Sequence, residues 1–278
     1  MSNSEASINW YQTFTPESHQ RHNWYNAVAA TYDRVRPKYS VQLLDRVVEV
    51  AKIPGNGKIL EVGCGPGTAT ISLAQRGFSV VALEPSVEAS EIARQQTAVY
   101  PHVEIINSNF EEWEPADRSF DAIIAATSWH WVAPADKHLK AASLLKAGGK
   151  LILLWNTGMQ PPIDIFDNLA EVFERYLPTF ATYKEPETQL SEVSTIARSA
   201  IDSGLFTDLH QEYRAIEVNY SIDDYLGLLT TYSPCIALSP ADRSELLARL
   251  RIVLSQNDDR QIPLSYLAVF QIATKINH

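Results

Sequence analysis

Short apolar runs alternate with stretches of helical period through the middle of this chain. The first run starts at Lys58 and ends at the Glu61 carboxylate; others cover 78–83, 103–106, 119–126 and 151–155. Runs of this length bounded by turn residues predict buried strands. Between them the spacing predicts helices over 68–76, 86–98 and 135–146. Gly77 stands as a C-cap, Pro85-Ser86 as an entry and Gly148-Gly149 as an exit. Strands separated by such helices predict βαβ units, and hence a parallel sheet covered on both faces.

The flanks follow other rhythms. Residues 1–17 are polar and lack a period, which predicts a mobile arm. A helix is expected over 22–33, with Trp24, Val28 and Tyr32 on one side. Arg36-Pro37 ends it, because a residue before proline is pushed out of the helical region. Ser40 reads as the N-cap of a second helix through Ala51, with Val41, Leu44, Val47 and Val48 inward and Gly55-Asn56-Gly57 closing it. Beyond Asn156 come an amphipathic helix (Ile165, Leu169, Val172, Phe173, Tyr176), a more polar stretch over 178–203 and a strand over 206–220. Capping boxes at Ser221/Asp224 and Ser239/Asp242 start two further helices. The second carries Leu246, Leu247, Leu250, Val253 and Leu254 on one face, and a last strand covers 266–274.

Composition narrows the function classes. With 278 residues, 45% hydrophobic and 20% charged, the chain has ordinary globular proportions. No apolar run approaches the ~20 residues that cross a bilayer, and the first ten residues lack the basic and apolar regions of a secretory signal. Two cysteines suggest neither a disulfide framework nor a zinc site, so a cytoplasmic setting is expected. A net charge of −10 without a basic block argues against nucleic acid and against an anionic membrane surface as partners. The seven histidines show no metal-binding spacing, so no metal is expected. Whether the chain is a monomer or a homodimer stays open.

The chemistry concentrates at Glu61-x-Gly63-x-Gly65-x-Gly67, between the first strand and a helix start. Glycines permit the sharp turn and let a ligand approach the main chain, while N–H groups at a helix start favour an anion. A dinucleotide fingerprint needs a third glycine where Thr68 stands, and a phosphate-binding loop needs a Lys-Ser/Thr pair that is missing. Ligands of open α/β sheets lie beyond the carboxyl ends of the strands, so the residues there are informative. Glu84, 21 positions after Gly63, is placed to accept from both hydroxyls of a ribose. Ser128-Trp129-His130-Trp131 follows the fourth strand; its rings suit an acceptor wall or cation–π contact with a sulfonium. His130 either takes a proton from an acceptor or donates to a carbonyl and shapes the wall. Tyr25, Tyr32 and Arg36 can fold over the same strand ends, Arg36 to bind a carboxylate or simply as a surface arginine. Trp155-Asn156, after the fifth strand, is a further wall candidate.

Together these residues resemble class I S-adenosylmethionine-dependent methyltransferases. The likeness rests on Glu61–Gly67, Glu84, Asn109 and Leu145-Lys146-Ala147-Gly148-Gly149 in that order. In detail it is similar to the subgroup called methyltransferase domain 11 or trans-aconitate-methyltransferase-like. The subgroup's motifs stand here as Tyr32-Asp33-Arg34-Val35-Arg36-Pro37-Lys38-Tyr39, His130-Trp131 and Trp155-Asn156. The resemblance covers 25–158 strongly and the rest loosely.

It implies a doubly wound, Rossmann-like α/β fold: a seven-stranded, mostly parallel sheet of order 3-2-1-4-5-7-6 with the last strand antiparallel, under a helical lid. The implied division is an arm and lid helix (1–39), a cofactor-binding core (40–158), a helical insertion (159–204), and the last two strands with inserted lid helices (205–278). The implied cofactor is S-adenosyl-L-methionine, leaving S-adenosyl-L-homocysteine. Its binding set would be Glu61, Gly63, Cys64, Gly65, Gly67, Glu84, Pro85, Asn109, Phe110 and Thr127. Glu61 would face the ligand's ammonium end. The family commonly has Asp where Asn109 stands; Asn109 would either accept from the adenine amino group, modulating affinity, or serve as a turn residue. Tyr25, Tyr32, Arg36, Trp129, Trp131, Trp155 and Asn156 would line the acceptor pocket or lid.

The expected activity is methyl transfer to a small molecule such as a carboxylate or hydroxyl compound. Competing expectations are a lipid acceptor (cyclopropane-forming or quinone-type), an NAD-dependent oxidoreductase, and a binding protein that keeps the cofactor without turnover.

Overall fold

In the central strands alternate residues go to opposite faces, as the pleat requires. Ile59, Ala122, Ile124, Ile152 and Leu154 enter one hydrophobic core, whereas Leu60, Ile123, Ala125, Leu151 and Leu153 enter the other. Both faces of the sheet are therefore covered, as the near-continuous apolar runs require. The computed structural model describes residues 25–115, 119–256 and 261–277. The expected arm over 1–17 and the Trp24 end of the first helix lie outside the described residues.

The elements are α1 (Ala29–Val35), α2 (Val41–Ala51), β1 (Lys58–Val62), α3 (Thr68–Gln75), β2 (Ser79–Leu83), α4 (Val87–Thr97), β3 (Val103–Ile106), β4 (Phe120–Ala126) and α5 (Lys137–Leu144). They continue with β5 (Leu145–Asn156), α6 (Ile163–Tyr176), α7 (Pro186–Asp202), β6 (Phe206–Ser221), α8 (Ile222–Thr230), α9 (Ser233–Ile236), α10 (Pro240–Leu254) and β7 (Gln261–Lys275). The sheet runs β3-β2-β1-β4-β5-β7-β6. Neighbours from β3 to β5 are parallel, and β7 is antiparallel to both β5 and β6. This is the Rossmann-like α/β arrangement expected of the sequence. The strand order reverses at β1 and β4, so the carboxyl ends of those two strands open a crevice.

Local signals act where they are strongest. Ser40, Ser86, Ser221 and Ser239 each cap a helix, their side chains accepting from the backbone N–H three residues on. Arg36 is extended ahead of Pro37 and ends α1.

Three expectations are corrected. Val41 is exposed, because Leu43, Leu44, Val47 and Ala51 form the inward stripe of α2 and leave the first turn outside it. Lys52, in the left-handed region, closes that helix before Gly55 is reached. The helix before β5 stops at Leu144, and Gly148-Gly149 lie inside the strand. There the pairing jumps from Phe120–Leu145 to Ala122–Lys150, so the glycines absorb extra residues. Within the stretch implied to be a helical insertion, the polar residues over 178–203 include the long helix α7, whose inward Val193, Ile196, Ala197 and Ala200 are diluted by Ser, Thr and Glu on its other sides.

Helices outside the alternation sit over the strand ends. Arg36 Nε, just past α1, donates to Thr231 Oγ1 after α8 at 2.8 Å, and Tyr25 OH lies 3.4 Å from Ser233 Oγ on α9. Among the described residues no helix is long and apolar enough to cross a membrane.

Candidate active site

The turn after β1 is built on main-chain bonds. Gly63 and Cys64 both donate their N–H to Leu83 O at 2.9 Å, stitching the turn to the end of β2. Gly63 has φ +70°, and a Cβ there would meet Ser128 Cβ at 2.7 Å, so the loop after β4 packs directly on it. Gly65 has φ +56°, and a Cβ on it would point into open space. That space is a cavity. Gly67, at φ +92°, begins α3 and faces Ala93 of α4; its part is the turn itself.

Two buried carboxylates hold this turn. Glu84 Oε2 accepts from Gly65 N–H and Oε1 from Ser86 N–H, both at 2.8 Å. Burial raises its pKa to about 7, against the pull of these two N–H groups. Glu61 is fully buried beneath the turn, where its Oε2 accepts from Thr70 Oγ1 at 2.6 Å. Its other oxygen, Oε1, is buried without a hydrogen-bond partner. Burial raises the Glu61 pKa to about 8; the Thr70 hydroxyl opposes the shift and the Glu84 charge adds to it.

Three cavities open off the crevice, and Tyr32 and Thr127 line all of them. One lies between the turn and the ends of β2 and β3, walled by Gly65, Glu84, Pro85, Ser108, Asn109 and Phe110. A smaller one runs beside Tyr39, Cys64, Gly65, Thr68 and Asn156. The third, of roughly 1060 Å³ including its open mouth, extends under the lid past Arg36, His130, Trp131 and Tyr232. Thr127, at their meeting point, has φ +56°, which is unusual for a β-branched residue. Its Oγ1 is 2.8 Å from Tyr39 OH, and its N–H donates to Leu154 O at 2.7 Å. Such strain at a cleft is the kind that functional sites retain.

The structure thus brings Gly63, Cys64, Gly65, Glu84, Pro85, Asn109, Phe110 and Thr127 to two adjoining cavities, with Glu61 in the layer below. Asn109 Oδ1 accepts from Glu112 N–H at 2.7 Å, so its carbonyl serves the local turn while the residue lines the wall. Tyr25, Tyr32, Arg36, His130, Trp131 and Asn156 line the lid-side cavity. Arg36 is gripped there, its guanidinium 4.0 Å from the Tyr232 ring centroid and 5.1 Å from that of Tyr32.

Two expected wall residues belong to the core instead. Trp129 is fully buried against Phe110 and His138, since its short helical turn points it away from the crevice. Trp155 is fully buried and donates its Nε1–H to Gln271 Oε1 at 2.8 Å; its ring centroid lies 5.7 Å from that of His130, which lines the cavity. Residues that sequence reasoning passed over include Tyr39, Lys184, Gln189, Glu192 and Tyr232. Only Tyr39 had a signal, as the last residue of the Tyr32–Tyr39 motif.

Comparison with known proteins agrees with this geometry. Residues 59–149 match a family described as a methyltransferase domain. An uncharacterized methyltransferase of Mycobacterium tuberculosis is 34% identical over 133 residues, 48% of this chain and 52% of that protein. The chain thus spans about half the length of the curated relatives it matches most strongly. A solved structure named as a candidate type II methyltransferase of Anaeromyxobacter dehalogenans superposes with a TM-score of 0.63 at 21% identity. It covers 87% of this chain and 99% of that one. Phosphoethanolamine N-methyltransferase 2 of Haemonchus contortus was solved with phosphomonomethylethanolamine and S-adenosylhomocysteine. It superposes with a TM-score of 0.52 at 17% identity, over 93% of this chain and 59% of that one. At these identities the two structures speak for the fold.

Proposed function

Because residues 59–149 match a methyltransferase domain family, we propose that this chain binds S-adenosyl-L-methionine and transfers its methyl group to a small-molecule acceptor. One observation carries the proposal. The two cavities on the glycine-turn side and the large cavity under the lid meet at Thr127 and Tyr32. A cofactor and an acceptor bound on either side would face each other there.

The residues present fit such a cofactor. Gly65 leaves open the space its missing side chain would fill. Each Glu84 oxygen has used one lone-pair direction on the backbone and keeps another for a ribose hydroxyl. Glu61 Oε1, buried without a partner, suits an ammonium met directly or through water. S-adenosyl-L-methionine supplies an activated methyl group on a positively charged sulfur. The chain's own part is to align the acceptor and exclude water, which contributes ~7–11 kcal/mol when the geometry is right. Tyr25, Tyr32 and Trp131 bridge the two sides and close the junction. His130 lines only the lid-side cavity, so it acts on the acceptor, as wall or as proton acceptor.

A net charge of −10 supports a small molecule over nucleic acid, in a cytoplasmic setting. The narrower trans-aconitate-methyltransferase-like likeness is one of motif and does not choose the acceptor. Calorimetric titration of the whole chain with S-adenosyl-L-methionine and NAD in parallel tests the assignment. Binding of the first alone is expected; preference for NAD would replace methyl transfer with hydride chemistry.

A further inference from the structure

Several rings stand in the wall of the lid-side cavity, among them Tyr25, Trp131, Phe166, Phe180, Tyr225 and Tyr232, beside polar groups such as Arg36, Thr157 and Thr182. Within this lining stands an ion pair. Lys184 Nζ donates to Glu192 Oε1 at 2.5 Å, and the two side chains are only 10% and 9% exposed. Neither residue lines the cavities on the glycine-turn side.

The Lys184 main chain has partners of its own besides this pair. Gln160 clasps the Lys184 main chain from both sides, its Nε2 donating to Lys184 O at 2.8 Å and its Oε1 accepting from Lys184 N–H at 2.9 Å. Gln189 Nε2 donates to the same carbonyl at 3.2 Å. A buried pair also adds little net stability, since desolvation offsets most of the attraction. Burial accordingly lowers the Lys184 pKa and raises that of Glu192, each shift opposed by the partner's hydrogen bond and charge. The pair is better explained by what enters the cavity.

We propose that Lys184 and Glu192 anchor a neutral hydroxyl on an aromatic acceptor, at the end remote from the transferred methyl group. The inference rests on the methyl-transfer assignment for what happens at the other end. The ring-lined walls suit a flat, apolar body. The polar end is chosen by charge. A carboxylate beside Lys184 would be repelled by Glu192, and an ammonium beside Glu192 by Lys184, at short range and away from water. A hydroxyl adds no charge: it accepts from the ammonium and donates to the carboxylate, making two charge-assisted hydrogen bonds. The acceptor therefore carries at least two functional groups, one held by the pair and one presented at Thr127.

The test uses the full chain saturated with S-adenosyl-L-homocysteine and three matched probes: para-propylphenol, para-propylbenzoate and propylbenzene. Calorimetry should rank the phenol roughly tenfold tighter than either of the others. The Lys184→Met/Glu192→Leu double variant should lose that preference while still binding propylbenzene. Glu192→Gln alone leaves the ammonium without its carboxylate and should turn the preference toward the benzoate; this single change keeps the side-chain shape should the double variant not fold. A wild-type preference for the benzoate or the hydrocarbon, no binding of the phenol, or an unchanged ranking in the variants overturns the proposal. Titration with S-adenosyl-L-homocysteine alone comes first. Failure there removes the methyl-transfer assignment, and the probe ranking is then read separately on the unliganded chain.

Discussion

The two sides of the site are held by different means. On the glycine-turn side the main chain does the holding: Gly63 and Cys64 bond to Leu83, and Gly65 and Ser86 bond to Glu84. On the lid side the holding is done by side chains from distant parts of the chain. Arg36 reaches Thr231 and Tyr232, and Tyr25 reaches Ser233. The first arrangement accepts one ligand shape and depends on backbone torsions that few residues adopt. The second can change its ligand by exchanging side chains while the sheet stays as it is. On the proposed reading, a common cofactor would sit on the first side and the particular acceptor on the second.

If that division is right, substitutions on the turn side should destroy cofactor binding whatever the lid does. Gly65→Val has the largest expected effect. It strains a residue at φ +56° and puts a branched side chain into the cavity. Affinity for S-adenosyl-L-homocysteine should fall below calorimetric detection, with a cooperative melt retained. Unchanged affinity would remove the turn from the site. Glu84→Ala should be milder, about 1–3 kcal/mol or roughly a five- to hundredfold loss, the scale of hydrogen bonds to a charged group. Competition with a fluorescent adenosyl analogue would measure it.

The buried acids sharpen the comparison through pH. In the folded chain the Glu61 pKa is raised to about 8, whereas the unfolded chain ionises it near the ordinary carboxylate value. Between those values the folded state binds more protons, so stability from this group is present at low pH and is lost as pH rises toward about 8. The wild-type melting temperature should therefore fall over that window by several degrees more than that of Glu61→Gln, which keeps an acceptor for Thr70. Parallel curves would show that Glu61 ionises normally. The smallest effect is expected on the lid side. His130→Ala should leave cofactor affinity within about twofold while lowering turnover, because His130 lines the lid-side cavity and neither cavity on the glycine-turn side. A large loss of cofactor affinity would dissolve the division between the two sides.

The same division explains what could be read from the sequence. Glycines at alternate positions, an acid at the end of β2 and serines before helices are local signals, and they marked the turn, Glu84 and four helix starts. The sheet order came from the family resemblance and matches the observed topology. The lid was nearly silent. Lys184 and Glu192 are eight positions apart in a polar stretch, and Arg36 and Thr231 are separated by 195 residues. Contacts of that kind leave no period. Trp129 and Trp155 misled for a related reason: a residue next to a crevice turns into it or into the core according to backbone torsions that residue type does not reveal. Gly148-Gly149 resembled a helix exit because a strand bulge favours the same residue.

A crystal structure of the chain grown with S-adenosyl-L-homocysteine would show directly where the cofactor lies. The ribose should lie on the Glu84 carboxylate, the amino-acid tail over Gly65, and the sulfur facing the lid-side cavity at Thr127. A ligand bound elsewhere, or one lying against the turn with Glu84 out of reach of its ribose, would contradict that placement.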